Sequence, residues 1–129
     1  MDYQGYHRQL LQQLIEHTRA SAPFNGESFS EDDHAFLTRL SHLVQQEEAS
    51  EAFYSDGQAI LCQIIASYPH ITPAISRDLL WFFGGDCMHF LSDEEIDMYS
   101  ELDELRFEAQ RLGASFDMLE AKQQIRKLH

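Results

Sequence analysis

"WFFGGDCMHF", residues 81–90, is the stretch on which the fold turns. It sets a Trp and two Phe against a Gly pair, then gathers an acid, a thiol, a thioether and an imidazole. Read as chemistry it is a reactive cluster; read as architecture it is the packed middle of a helix. Its flanks decide between the two. Upstream, "YPHITP" (68–73) is a stop, because Pro69 has no backbone N–H to donate, and Thr72-Pro73 has the N-cap-then-N1 form of a helix start. Downstream, Ser92-Asp93-Glu94-Glu95 is a capping box with three acids at the positive end of the next helix. Between them the spacing predicts one helix from about residue 73 to the capping box, with Gly84-Gly85 as a packing notch or a bend. A helix that ends at the glycines is the alternative. On a continuous helix Asp86 falls near a buried face, where an unpaired carboxylate is costly, so a structural pair with His89, one turn on, is expected.

The same periodicity extends in both directions. Tyr3, Tyr6, Leu10, Leu11, Leu14 and Ile15 recur at spacings of three and four, opposite a glutamine-rich face, and predict a first helix ending near Ala20. Pro23 and Gly26 break the chain in "SAPFNGESFS", where Phe24 and Phe29 are expected to fold back on the core. Ser30-x-x-Asp33 opens a second helix, striped by Phe36, Leu37, Leu40, Leu43 and Val44 to about Glu48. Ser50 caps a third, with Phe53, Gly57, Ile60, Leu61, Ile64 and Ile65 on one side; Gly57 on that inner face implies close approach of another helix. After the capping box, Ile96, Tyr99, Leu102, Leu105 and Ala109 form an apolar face, and Gly113 is a C′ residue. A last helix is expected from about Ser115, using Phe116, Leu119, Ile125 and Leu128, with Lys122, Arg126 and Lys127 suiting its C-terminal dipole. No hairpin signal interrupts this pattern. The expected fold is all-α: one compact single-domain bundle of about six helices over residues 1–129, without β-sheet.

Composition narrows the function. At 129 residues the chain has the size of one domain, and 43% hydrophobic residues support an ordered core. The formal charge of −13 repels phosphate backbones, so direct nucleic-acid binding is not expected. No apolar run approaches a membrane span, and the opening Met1-Asp2-Tyr3 lacks the basic region of a secretory leader. Cys62 and Cys87 lie in apolar surroundings without C-x-x-C spacing and read as reduced, structural thiols in a cytoplasmic protein.

Two constellations hint at metal chemistry. Glu31 with His34 and Asp86 with His89 are i, i+3 carboxylate–imidazole pairs, the half-motifs of di-metal bundles, with Glu16 and Glu51 as nominal further ligands. Against this, acids in a first turn serve the helix dipole, and Glu16 sits on the glutamine face. No nucleotide-binding glycine loop and no nucleophile motif occurs, so no catalytic residue and no cofactor is assigned.

Charge distribution carries more. Residues 92–120 hold ten acids against Arg106 and Arg111, and Asp97, Glu101, Glu104 and Glu108 follow one another at helical neighbour spacing. The leading expectation is a non-enzymatic adaptor, regulator or inhibitor that docks a basic protein surface on this helix, aided by Trp81. Reversing Glu101, Glu104 and Glu108 should abolish such binding. The rival is a metal- or small-ligand-binding bundle centred on Asp86 and His89; an acidic immunity- or DNA-mimic-type inhibitor is a third reading. Leu79–Phe83 is apolar all round, which calls for a central position in the monomer or for burial by a second copy in a homodimer.

Overall fold

The computed structural model describes residues 1–128; the side chain of Leu128, expected on the last helix's apolar face, lies outside the described ones. Six α-helices follow in order: α1 (Tyr3–Arg19), α2 (Glu31–Gln45), α3 (Glu51–Ser67), α4 (Arg77–Phe83), α5 (Asp93–Arg111) and α6 (Met118–Leu128). Two 3-10 segments, Thr72–Ala74 and Gly85–Phe90, flank α4, and there is no strand among the described residues. The all-α expectation of about six helices is met. No described helix is long and apolar enough to cross a membrane.

Helix starts follow the caps. Ser30, Ser50 and Ser92 each accept a hydrogen bond from the backbone N–H three residues on, and Glu95 closes the capping box by accepting from the Ser92 N–H at 3.0 Å. The core runs through α1, α2 and α3, with Leu11, Leu14, Phe36, Leu40, Phe53, Leu61 and Ile64 all at most 2% exposed. Each such side chain is worth about 1.5–3 kcal/mol of burial. Phe24 returns from the first connector to pack among Phe29, Phe36 and Tyr68 in edge-on and tilted ring contacts. α2 stops at Gln45, short of the expected Glu48, at an extended Gln46.

The stretch at 81–90 departs from the continuous-helix expectation. Thr72-Pro73-Ala74 forms a single 3-10 turn, and the true cap of α4 is Ser76, whose hydroxyl accepts from the Asp78 N–H at 3.3 Å. α4 then ends at Phe83, because Gly84 and Gly85 take φ values of +66° and +56°. Gly84, with ψ at −148°, occupies a region open essentially to glycine alone. The chain re-enters as the 3-10 segment, which turns Asp86 and His89 outward into solvent. The expected buried Asp86–His89 pair is therefore replaced by two exposed side chains.

α4 is the central helix. Leu79, Leu80, Phe82 and Phe83 are buried against α1, α3 and the 3-10 segment, so the monomer itself surrounds it and Trp81 alone stays half-buried. Gly57 is the contact point from α3: a Cβ there would lie 2.1 Å from the Phe83 ring, so the close approach read from the sequence is present. α6 begins at Met118 rather than Ser115, with the Asp117 carboxylate accepting from the Glu120 N–H at 3.0 Å. That later start turns Met118, Ala121 and Ile125 inward and leaves Leu119, expected inside, 52% exposed.

Candidate functional site

α5 separates two chemically opposite faces. Asp97, Glu101, Glu104 and Glu108 lie along its outer side, about half a turn from the buried Tyr99 and Leu102. Asp97, Glu104 and Glu108 are exposed and Glu101 is half-buried. Of the two bases in this segment, Arg106 is withdrawn: its guanidinium lies 4.1 Å from the centre of the Tyr3 ring and 4.7 Å from that of Phe107. Arg111 pairs with Glu108 one turn back, holding that carboxyl below its usual range. Phe107 and Leu112, 55% and 64% exposed, border the acids on either side. At the start of the helix, Glu94, Glu95 and Asp97 line a hollow of about 560 Å³ together with Ser92 and Met98.

Beneath α5 lies a buried polar cluster centred on Asp78, which is 5% exposed. The Tyr99 hydroxyl donates to one carboxylate oxygen at 2.5 Å; the Tyr6 hydroxyl and the Lys122 ammonium, at 2.6 Å, donate to the other. Lys122 also donates to the Tyr6 oxygen at 2.9 Å, so α1, α4, α5 and α6 meet at one charge. Burial pushes the Asp78 carboxyl up, but the bonds from Lys122, Tyr6 and Tyr99 together outweigh it and hold it below its ordinary value. Burial likewise pulls Lys122 down, and Asp78 and Tyr6 more than restore it. Asp78 is thus ionised and fully engaged. A cavity of about 170 Å³ adjoins the cluster, bounded by Arg77, Glu95, Arg126, Met98, Leu102 and Ile125 besides the cluster residues.

His7 follows Tyr6 directly and meets its ring edge-on at 5.0 Å; it is 1% exposed and stacked on Phe82 with ring centres 4.3 Å apart. Its Nδ1 lies 2.7 Å from the Tyr3 carbonyl, which can only accept, so Nδ1 carries the proton. Burial drives its pKa down to about 4, leaving it neutral.

The residues singled out from the sequence scatter. Trp81 stacks on Tyr99 at 5.5 Å and serves packing as well as surface. Glu31 and His34 are exposed in the first turn of α2, where His34 stacks on Phe29. Glu16 and Glu51 are exposed, and no group of three or more His, Cys, Asp or Glu side chains among the described residues could hold a metal ion. Cys62 and Cys87 are neighbours: burial, reinforced by the Cys62 thiol, pushes the Cys87 thiol up to about 12, while it points at the Gln58 carbonyl 3.8 Å away. Asp78, Tyr6 and His7 carry no local motif. The available signal for Asp78 was its place one helical turn before Phe82, which puts an acid on the face of an otherwise apolar helix that packs inward.

No curated protein and no solved structure matches the chain. Its sequence does match one family model over residues 1–129, and the chain belongs to the PA2817-like family.

Proposed function

We propose that the protein works without catalysis, as an adaptor, small regulator or inhibitor, by docking a basic protein surface on the outer face of α5. The observation that supports this best is the continuity of the acidic face: Asp97, Glu104 and Glu108 are exposed along one stripe that opens into the acid-lined hollow at Glu94 and Asp97. The hollow offers room for a Lys or Arg side chain. The flanking Phe107 and Leu112 supply apolar area that a contact can desolvate. Acids on this scale steer a cationic partner and repel anionic competitors. The unpaired thiols Cys62 and Cys87 suit a reducing, cytoplasmic setting.

The test is capture from a native extract with the full chain as bait, alongside an Asp97→Lys, Glu104→Lys, Glu108→Lys variant. Half-buried Glu101 is left untouched so that the fold is not challenged. A partner retained by the natural chain should be lost from the triple variant and should fall away as salt rises from roughly 0.05 to 0.5 M, where screening shortens the reach of exposed charge. The same partner captured equally by both chains at all salt concentrations would remove α5 as the docking face.

A further inference from the structure

Arg77, Lys122 and Arg126 are three of the nine Lys and Arg side chains of a chain with a formal charge of −13, and all three line the 170 Å³ cavity beneath α5. We propose that this cavity binds a small monocarboxylate with an apolar body, such as a short branched or aromatic acid. The inference does not use the acidic stripe of the docking face, although Glu95 and Met98 border both the hollow at the start of α5 and this cavity.

The hydrogen-bonding inventory sets the sign of the ligand. Asp78 already accepts from Tyr99, Tyr6 and Lys122. Glu95 already accepts twice from Arg77 and once from the Ser92 N–H. Each carboxylate has about four acceptor positions, so little acceptor capacity faces the cavity. Donor capacity remains. Arg77 uses Nε and Nη2 on Glu95 and on the Phe90 carbonyl, leaving Nη1 free. Lys122 keeps one N–H beyond its bonds to Asp78 and Tyr6, and Arg126 bonds to no other described residue. Arg77, with a 53% exposed side chain, and Arg126 are open to solvent, so water holds these donors in the free protein and a ligand that displaces it has to supply acceptors. Three cations against two carboxylates leave one net positive charge, which matches a monoanion.

The rest of the wall sets the body of the ligand. Met98, half-buried, supplies the accessible apolar part of the wall, and Leu102 and Ile125, each 3% exposed, close the cavity behind it. The cavity's volume equals that of roughly six waters, well below the size of drug-scale pockets, so the part of a ligand it can enclose is a group of few atoms. A carboxylate held by Arg126 and the free edge of Arg77 would lay a short hydrocarbon on Met98. The neighbouring Trp81, the single tryptophan, stacks on Tyr99 and gives a built-in optical reporter.

Benzoate, 3-methylbutanoate, benzamide and inorganic phosphate are titrated against the full chain, following Trp81 fluorescence and backbone amide NMR shifts. The two carboxylates should give saturable changes centred on α5 and α6, with roughly millimolar affinity for ligands of so few atoms. Benzamide and phosphate should not saturate. Arg126→Ala, at an exposed position, should weaken benzoate about tenfold without shifting the unfolding midpoint. Absence of saturation by either carboxylate, equal binding of benzamide or phosphate, or unchanged affinity in Arg126→Ala would each overturn the proposal.

Discussion

Replacing Asp78 with Asn changes one charge and almost no volume, which makes it a sharp probe of the cluster that joins four helices. The amide oxygen can still accept from Tyr99, but the amide N–H atoms then face the Lys122 ammonium and the Tyr6 hydroxyl, both of which donate in the native arrangement. Removing one partner of a buried ion pair costs about 3–5 kcal/mol, because the other charge is stranded. Lys122 retains 20% side-chain exposure, so its ammonium can turn toward water, and the expected loss lies at the lower end, about 3 kcal/mol. Adding Lys122→Met removes the stranded charge, so the double variant should be more stable than the sum of the two single losses predicts, by about 1–3 kcal/mol. Urea unfolding followed by far-UV circular dichroism and by Trp81 fluorescence measures all three variants. A loss below about 1 kcal/mol for Asp78→Asn, the level of an ordinary substitution, would refute the reasoning. So would strict additivity in the cycle.

Other perturbations test separate joints of the structure. His7 has its folded pKa lowered to about 4 from 6.5, so the unfolded chain binds the extra proton first; its contribution is full above 6.5 and drains as pH falls toward 4. The shift corresponds to about 3 kcal/mol, and His7→Gln should remove that part of the pH slope; identical slopes for both chains between pH 6.5 and 4.5 would contradict it. Gly57→Ala should cost about 1–3 kcal/mol, since its Cβ would meet the Phe83 ring; pairing it with Phe83→Leu should recover part of the loss in thermal unfolding. Gly84→Ala, where a Cβ would make only ordinary contacts with the Trp81 carbonyl and Met88 but φ is +66°, should cost about 1–3 kcal/mol through backbone strain, so Phe83→Leu should bring no relief.

The parts legible in the sequence are those where two local signals agree. α1, α2, α3 and α5 each combine an apolar stripe with a cap or a stop, and their ends fall within a few residues of expectation. α4 defeated that reading because Thr72-Pro73 imitates a helix start, while Ser76, the working cap, sits in the same short run. The glycine pair admits both a notch and a terminus, and the terminus is set by contacts with α3: Phe83 packs on Gly57, the Gln58 amide donates to the Phe83 carbonyl at 2.9 Å, and the Gln58 side chain lies against Gly85. Register misled at α6, where Ser115 and Asp117 compete as caps two residues apart and the winner decides whether Leu119 or Met118 faces inward. The Asp78 cluster was hidden for a different reason. An acid in a first turn has a sufficient local explanation in the helix dipole, and Lys122 read as one of three cations toward the end of α6, although it lies in the middle of that helix and only Arg126 and Lys127 occupy the last turn. The meeting of Asp78 and Lys122 across 44 positions is a property of the tertiary fold. The acidic face of α5 needed no such meeting, since spacing along one helix defines it.

The docking face is tested most directly by a photo-crosslinking side chain placed at position 104, with a control at Gln13 on the exposed side of α1. Neither position supports the core, so both proteins should fold alike. In native extract, illumination should give a salt-sensitive adduct with a basic partner from position 104 and none from position 13. An adduct of equal yield from position 13, or no adduct from 104 while the partner is still captured, would contradict the assignment of α5 as the working surface.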